Sequence, residues 1–412
     1  MNKIVVIIPT YNEKENIGRM IDVLEEDIFP KIKNNQMEIL VVDDKSPDGT
    51  AEIVRQKMKK YANVTLSLGE KQGLGAAYKR GMQYVMEKMK ADAVIEFDAD
   101  FQHDPKYIID LVKKFDEGYD YVIGSRFVKG GSIPQEWSFY RKFLTKYGGL
   151  FSRIVLFFPH MGRVKDVSTG LKLIRVRGVL EKVDFSKISD GFFYKTQILY
   201  QIVNMGAKVV EIPLQFKLRE KGKTKMSFSD VGRTFLGVIK LRLTDPGTLR
   251  FIKFGTVGFT GYLVNAFGLE VFRGMFFFEK LASGFDIFKG TILSVLLQPS
   301  AWSAAAAAEL SILVNFTLNN FWTFTDVKIT RPLKIILKFL QFNLTSAGAI
   351  IIQFIGIGLG VIIFKDTALV RQISLVVIMP VILTYNYTMY NVFIWKRWKL
   401  PFRFRTSSTK KN

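Results

Sequence analysis

Four apolar stretches, roughly 251–272, 300–322, 336–364 and 372–395, constrain this chain more than any other feature of it. Each is long enough to cross ~30 Å of hydrocarbon at ~1.5 Å per residue. A buried soluble bundle is the alternative, but the lengths and the Phe-rich, Gly-rich composition argue against it. The first two stretches carry Asn265, Glu270, Glu309 and Asn315. Polar groups at such depth are expected to face other helices. The alanine run at 304–308 is expected to pack closely against a neighbour. The expectation is an all-α membrane domain of four transmembrane helices over 249–398, followed by a basic cytoplasmic tail, 399–412.

Charge gives the orientation. The link after the second stretch carries Lys328, Arg331 and Lys334, and the segment before the first carries Lys240, Arg242 and Arg250. The tail carries seven more cations, from Lys396 to Lys411. The link between the third and fourth stretches has only Lys365 and Arg371 against Asp366. By the positive-inside rule, the N-terminal part and the tail are both cytoplasmic, in an integral protein of the cell membrane. The net charge of +22 in 412 residues comes with a mean hydropathy of +0.14. A nucleic-acid binder is seldom so apolar, and these cations gather at membrane edges, so nucleic acid is excluded as a partner. There is no cysteine, which rules out disulfides and thiolate chemistry. The opening MNKIVVIIPTYNE reads as a buried first strand rather than a signal peptide.

Up to about Arg242 the texture differs. The runs IVVIIP, MEILVVDD, NVTLSLG, DAVIEFDAD and YDYVIGSR are β-rich, and segments such as KENIGRMIDVLEEDIF and LGAAYKRGMQYVMEKM between them have helical spacing. This alternation predicts a mostly parallel α/β sheet, with ligands at the carboxyl ends of its strands. Two segments, about 137–158 and 228–248, mix aromatics with cations and are expected to lie in the headgroup layer.

The acids stand at strand ends: Asp43 and Asp44 after EILVV, Asp98 and Asp100 after AVIEF. Two carboxylates so close repel unless something positive sits between them. A hard divalent cation suits the pair, and Mg²⁺ in particular takes one or two carboxylates plus substrate phosphates. Asp-x-Asp alone also occurs by chance in loops. Glu13 and Asp44 would equally suit capping and turn formation. His103 is expected to make a local hydrogen bond rather than to ligate.

Seven motifs occur in order: PTYNE (9–13), VVDDKSPDGT (41–50), KQGLGAAYKRG (71–81), DADFQHDP (98–105), IGSRFVKGG (123–131), EWSFYRK (136–142) and STGLKLIR (168–175). Together they resemble a family 2 glycosyltransferase of the polyprenyl-phosphate sugar synthase type, the dolichol-phosphate mannose synthase group. The segments RFIKFGTVGFTGYLVN (250–265) and AELSILVNFTLNNFWTF (308–324) resemble a GtrA-like membrane domain. The resemblance implies a GT-A (Rossmann-like) catalytic domain over 1–227 and inversion at the anomeric carbon. It implies a nucleotide site at Pro9, Tyr11, Glu13, Val42 and Asp44. It implies a metal and diphosphate site at Asp98, Ala99, Asp100 and Gln102, with Asp100 and Gln102 as direct ligands of Mg²⁺ or Mn²⁺ and Asp98 nearer the sugar. Arg126, Arg141 and Thr145 are placed on the acceptor phosphate, and Lys172, Arg219, Thr224 and Lys225 close over the donor. Thr145 and Thr224 stand where the family often has serine.

The implied reaction is mannosyl transfer from GDP-mannose to dolichyl or another polyprenyl phosphate at the lipid bilayer. A phosphate monoester with a second pKa near ~6 is already anionic at neutral pH, so no strong general base is needed. UDP-glucose or UDP-GlcNAc is the alternative donor. Translocation of the lipid-linked sugar is an alternative role for the membrane domain, beside simple anchoring. The sequence leaves oligomeric state open.

Overall fold

The computed structural model describes residues 1–157, 160–219, 228–284, 299–364 and 368–398. The chain divides into two compact units, Met1–Leu243 and Thr244–Asn412.

The first unit is built on a seven-stranded sheet: β1 (Asn2–Thr10), β2 (Asn35–Asp43), β3 (Val64–Leu68), β4 (Ala93–Glu96), β5 (Tyr121–Ser125), β6 (Lys172–Arg175) and β7 (Val209–Pro213). The order across the sheet is β3-β2-β1-β4-β6-β5-β7. Only β6 runs antiparallel to its neighbours, β4 and β5. The expected α/β architecture is present. Strand residues alternate between two cores: Ile4, Val6 and Ile8 enter one, Val5 and Ile7 the other. A sheet buried on both faces needs such continuous apolar runs.

Helices α1 (Lys14–Val23), α2 (Thr50–Lys60) and α4 (Tyr107–Asp116) cover the first face; α3 (Leu74–Tyr84), α6 (Tyr194–Asn204) and α7 (Phe228–Thr244) cover the second. Between them in sequence lies α5 (Phe139–Val155), capped by the Ser138 hydroxyl accepting from Arg141 N–H. Its Phe139, Tyr140, Phe143, Tyr147, Leu150 and Ile154 are exposed, while Phe151 stacks on Phe235 of α7 at 4.3 Å between centroids. Helix α7, expected to lie in the headgroup layer, contributes fully buried Val238 to the second core, while its Phe235, Leu236 and Leu243 are exposed.

In the second unit, α8 (Pro246–Arg273), α9 (Phe276–Ser283), α10 (Pro299–Leu318), α11 (Pro332–Phe364) and α12 (Ala368–Met389) follow one another. Four of these cover the four apolar stretches. Among the described residues, no helix is long and apolar enough to cross a membrane. In α8, the charges Arg250, Lys253, Glu270 and Arg273 dilute the apolar run. Asn315 meets α8 at Gly261, and Gly268 lies against Ala307 of the alanine run. Asn265 and Glu309 are exposed, against the expectation that they face other helices, and the Glu270 side chain lies outside the described residues. An aromatic cluster of Phe254, Phe316, Phe324, Phe342, Tyr387, Tyr390 and Trp395 holds the unit together. Beside it Arg250 and Arg397 pair with Asp326.

Candidate active site

Carboxyl ends of the parallel strands deliver the polar groups to one edge of the sheet. At the end of β2, Asp43 is a turn residue, accepting from Thr10 Oγ1 at 2.8 Å and Ser46 Oγ at 2.6 Å. Asp44 turns the other way and pairs with Arg80 at 2.5 Å. Burial nevertheless raises its pKa above the usual carboxylate value.

Beyond β4 the backbone passes through Phe101 at φ +58°, a left-handed conformation costly for a bulky residue. This bend sets Asp98, Asp100 and Gln102 along one wall of a cleft. Asp98 Oδ1 accepts from the Tyr78 hydroxyl at 3.0 Å. Burial pushes Asp98 up, but the Lys195 ammonium and Tyr78 outweigh it and hold the carboxyl below its ordinary value. Asp100 Oδ1 accepts from Gln102 N–H at 3.1 Å, and its Oδ2 pairs with Arg219 at 2.6 Å. Burial, then the neighbouring Asp98, pushes Asp100 up to about 6.

Because β6 is antiparallel, the segment before it returns to the same edge with Asp166, Ser168 and Gly170. Asp166 is fully buried and takes the Arg126 fork bidentately, at 2.8 Å to Nε and 2.8 Å to Nη2. Ser168 Oγ accepts from the same guanidinium at 2.9 Å. Arg126 outweighs burial and holds Asp166 below its usual range. Arg141 lies over the Trp137 ring, 3.8 Å from its centroid.

The main cleft encloses about 510 Å³ and is lined by Pro9, Tyr11, Glu13, Asp44, Asp98, Ala99, Asp100, Gln102, Arg126, Arg141 and Arg219, all expected from sequence. A second cavity of about 340 Å³ adjoins Arg126 and Arg141 and contains Thr145. Two expected residues are elsewhere. Val42 is fully buried in the second core, where Gly81 approaches it. Lys172 is also fully buried, registered opposite Glu96 across the β4–β6 pair, and donates to the Lys195 carbonyl at 3.4 Å. Strand alternation turns both side chains into the second core instead of the cleft. Burial lowers Lys172 to about 8. Thr224 and Lys225 lie outside the described residues.

His103 also departs from expectation. Neither ring nitrogen has a hydrogen-bond partner among the described residues; Nδ1 stands 3.9 Å from Asp98 Oδ2, and the ring packs edge-on against Phe216. Burial lowers its pKa to about 4, so the ring is neutral. Sequence reasoning missed Tyr78, Asp166 and Lys195. Tyr78 lies inside a quoted motif, but YKTQ around Lys195 carries no signal of its own.

Gly170 leaves no room for a side chain: a Cβ there would sit 2.8 Å from Asp98 Oδ2 and 2.9 Å from both His103 Cε1 and Lys195 Nζ. Gly170→Ala is therefore expected to lower turnover at least about tenfold by displacing Asp98, since small misplacements at reacting centres are costly. A melting temperature close to wild type alongside that loss would locate the effect in the cleft.

Two carboxylates and an amide on one wall fit a hard divalent cation that takes its remaining ligands from phosphate oxygens. Among the described residues, no group of three or more His, Asp or Glu could hold a metal by itself.

Acids at the carboxyl edge of an α/β sheet, facing arginines across a cleft, define a site for phosphate-bearing ligands, and the chain is a glycosyltransferase. Residues 5–175 match the model for glycosyl transferase family 2, and residues 253–395 match the GtrA/DPMS transmembrane domain. A dolichol-phosphate mannosyltransferase of Pyrococcus furiosus is 33% identical over 359 residues, covering 86% of this chain and 89% of that one. A polyprenol monophosphomannose synthase of Mycolicibacterium smegmatis is 36% identical, covering 55% of this chain and 82% of that one. A mannosyltransferase from Pyrobaculum calidifontis, solved with GDP-Man and Mn²⁺, is 18% identical, covers 78% of this chain and 88% of that one, and has a TM-score of 0.37. The chain belongs to the dolichol-phosphate mannosyltransferase family.

Proposed function

We propose that the protein transfers mannose from GDP-mannose to a polyprenyl phosphate such as dolichyl phosphate, with inversion, at a membrane surface. The observation that carries this reading is the cleft in which Asp98, Asp100 and Gln102 face Arg126, Arg141 and Arg219. Two anions must meet there, and that requires both a cation-binding wall and a cationic wall.

In this reading Pro9, Tyr11, Glu13 and Asp44 receive the nucleotide. Asp100 and Gln102 hold Mg²⁺ or Mn²⁺ together with the diphosphate, and Asp98, fixed by Tyr78, orients the sugar. A divalent cation there supplies charge neutralisation of the departing nucleoside diphosphate. Arg219, released from Asp100 as the donor enters, reaches the diphosphate oxygens. Arg141 and Thr145 draw in the acceptor phosphate, whose oxygen attacks C1 directly from the face opposite the leaving group. No residue need remove a proton, since a phosphate monoester with a second pKa near ~6 is already ionised.

The exposed aromatic face of α5 supports its placement in the headgroup layer, beside the lipid acceptor. The match of 253–395 to a transmembrane domain and the positions of α8, α10, α11 and α12 support four crossings; the cations of the links and tail are what favour the cytoplasmic side for the catalytic unit and C-terminus. Anchoring is the preferred role of that unit. An Asp100→Ala variant that still moved lipid-linked sugar across a bilayer would favour translocation.

The test is transfer in detergent, offering GDP-mannose, UDP-glucose and UDP-GlcNAc with a polyprenyl phosphate, with and without Mn²⁺ or Mg²⁺. Mannolipid formed only from GDP-mannose and only with metal supports the reading. Label from a UDP-sugar moves the donor to the alternative. No transfer from any donor defeats the reading.

Acidity adds a further expectation. With Asp100 pushed up to about 6, a proton competes with the cation for its carboxylate. Mn²⁺ affinity should therefore weaken as pH falls through about 6 and recover above it. Equal affinity at about pH 5 and pH 7.5 would remove Asp100 from the ligand set.

A further inference from the structure

Two carboxylates stand in series behind the wall that Arg126 gives to both cavities. The outer one is Glu211 of β7, the edge strand, in register with Ile123 of β5. Its neighbours Val210 and Ile212 face the first core, so strand alternation turns Glu211 to the other face of the sheet. There Oε2 accepts from Lys165 N–H at 2.9 Å and Oε1 from Asp166 N–H at 2.9 Å. Both oxygens thus hold consecutive amides of the segment that leads into β6. Such charge-assisted bonds are about twice as strong as neutral ones. Among the described residues Glu211 forms no ion pair, so this backbone is what its charge is directed to.

Asp166, the inner carboxylate, carries that placement to Arg126. Its Oδ2 accepts from Arg126 N–H at 3.0 Å and from Nε at 2.8 Å. Its Oδ1 accepts from Nη2 at 2.8 Å and from Ser168 N–H at 3.3 Å. The other Nη2 hydrogen goes to Ser168 Oγ at 2.9 Å. A guanidinium grips an oxyanion bidentately through two adjacent nitrogens. Here Nε and Nη2 are both occupied within the protein, so neither edge of the fork that includes them is open to a ligand. Nη1 is the one guanidinium nitrogen with no hydrogen bond among the described residues.

We propose that Glu211 is a positioning residue for the acceptor: acting through Asp166, it aims Arg126 so that Nη1 meets the acceptor phosphate as a single directed donor instead of a bidentate clamp. The proposal rests on the function inferred above. Arg126 and Asp166 form a pair that is neutral as a unit, so what they give the phosphate is direction more than net charge. Glu211 lies on the far side of Asp166 from the guanidinium and lines neither cavity. Its effect on the acceptor must therefore pass through the Asp166 backbone.

The experiment uses the full chain in detergent, with farnesyl phosphate as a short polyprenyl phosphate. Its binding is measured by calorimetry without donor or metal, and GDP binding separately with Mn²⁺. Glu211→Gln is nearly isosteric but can accept from only one of the two amides. It should weaken farnesyl phosphate binding about threefold or more, since the Nη1 contact is misaimed rather than lost, and change GDP affinity less than about twofold. Arg126→Lys keeps the charge and loses the fork, and should weaken farnesyl phosphate binding about tenfold or more. In the double variant the loss should match that of Arg126→Lys within about twofold, because residues that act through one contact are not additive. In turnover, Glu211→Gln raises the acceptor KM and leaves the KM for GDP-mannose unchanged. Glu211→Asp, which keeps the charge and shortens the reach, carries the same test if Glu211→Gln does not fold. Unchanged farnesyl phosphate binding, an equal loss of GDP binding, or full additivity with Arg126→Lys would overturn the proposal. Wild-type protein that does not bind farnesyl phosphate would overturn both it and the proposed function. If the wild type binds farnesyl phosphate with this pattern of losses yet transfers no mannose, the proposed function fails and the positioning role stands.

Discussion

Asp100→Ala is expected to abolish metal-dependent mannosyl transfer, by on the order of 10²–10³-fold or more, the usual cost of removing one main electrostatic contact to a developing charge. Asp100 is buried, shares the cleft wall with Asp98 and is a partner of Arg219. In the proposed mechanism its removal takes away a cation ligand and the Asp100 partner of Arg219. The fold should survive, because Asp100 lies outside both apolar cores. Asp100→Asn refines the test: its amide oxygen can still accept from Gln102 N–H, so the loop geometry is kept while the charge is lost. Both variants should melt near wild type and lose Mn²⁺ binding together with turnover. Activity within a few-fold of wild type in either would mean that the cation is held by other groups.

The second large effect concerns stability. Asp166→Ala should destabilise the protein by about 3–5 kcal/mol, the cost of breaking a buried pair from one side. Asp166 is wholly buried, and the Arg126 side chain it holds is only 8% exposed. Without Asp166 that guanidinium keeps one neutral partner, Ser168. Urea unfolding of the full chain in detergent measures the loss as a shifted midpoint. A loss under about 1 kcal/mol would place Arg126 among solvent-screened surface pairs instead. Activity should fall as well, since Arg126 forms the wall between the two cavities.

Much of this was legible in the residues. The runs IVVIIP, ILVV and AVI are apolar on every position because the sheet is covered on both faces, and β1, β2 and β4 lie where they predict. The acids that follow them reach the cleft because parallel strands all end on one edge. Two departures from the expected cleft lining share a cause. Val42 and Lys172 sit within strands rather than after them, and inside a doubly covered sheet a side chain goes to a core whatever its polarity. The lysine is tolerated because Glu96 lies opposite in register and itself accepts from the Tyr194 hydroxyl at 2.8 Å. The places of Lys195 and Asp166 could not be read, because what brings them beside Asp98 and Arg126 is tertiary. LKLIR does not announce an antiparallel strand, and only that reversal brings Asp166, Ser168 and Gly170 to the edge where Arg126 emerges.

The reversed strand also sets an order of events in folding. β1 to β4 can pair among themselves as soon as about the first hundred residues have left the ribosome, since all their partners lie within that span. β5 has no place beside β4; its sheet neighbours are β6 and β7, which come later in the chain. The loop from β5 to β6 must close before either joins, and such long-range closure is slow. During translation the acidic half of the cleft therefore exists for a time without its basic half, and the nascent chain carries a sheet edge open at β4. Substitutions that slow the docking of β6 would be felt first as aggregation during synthesis, before any effect on the finished enzyme.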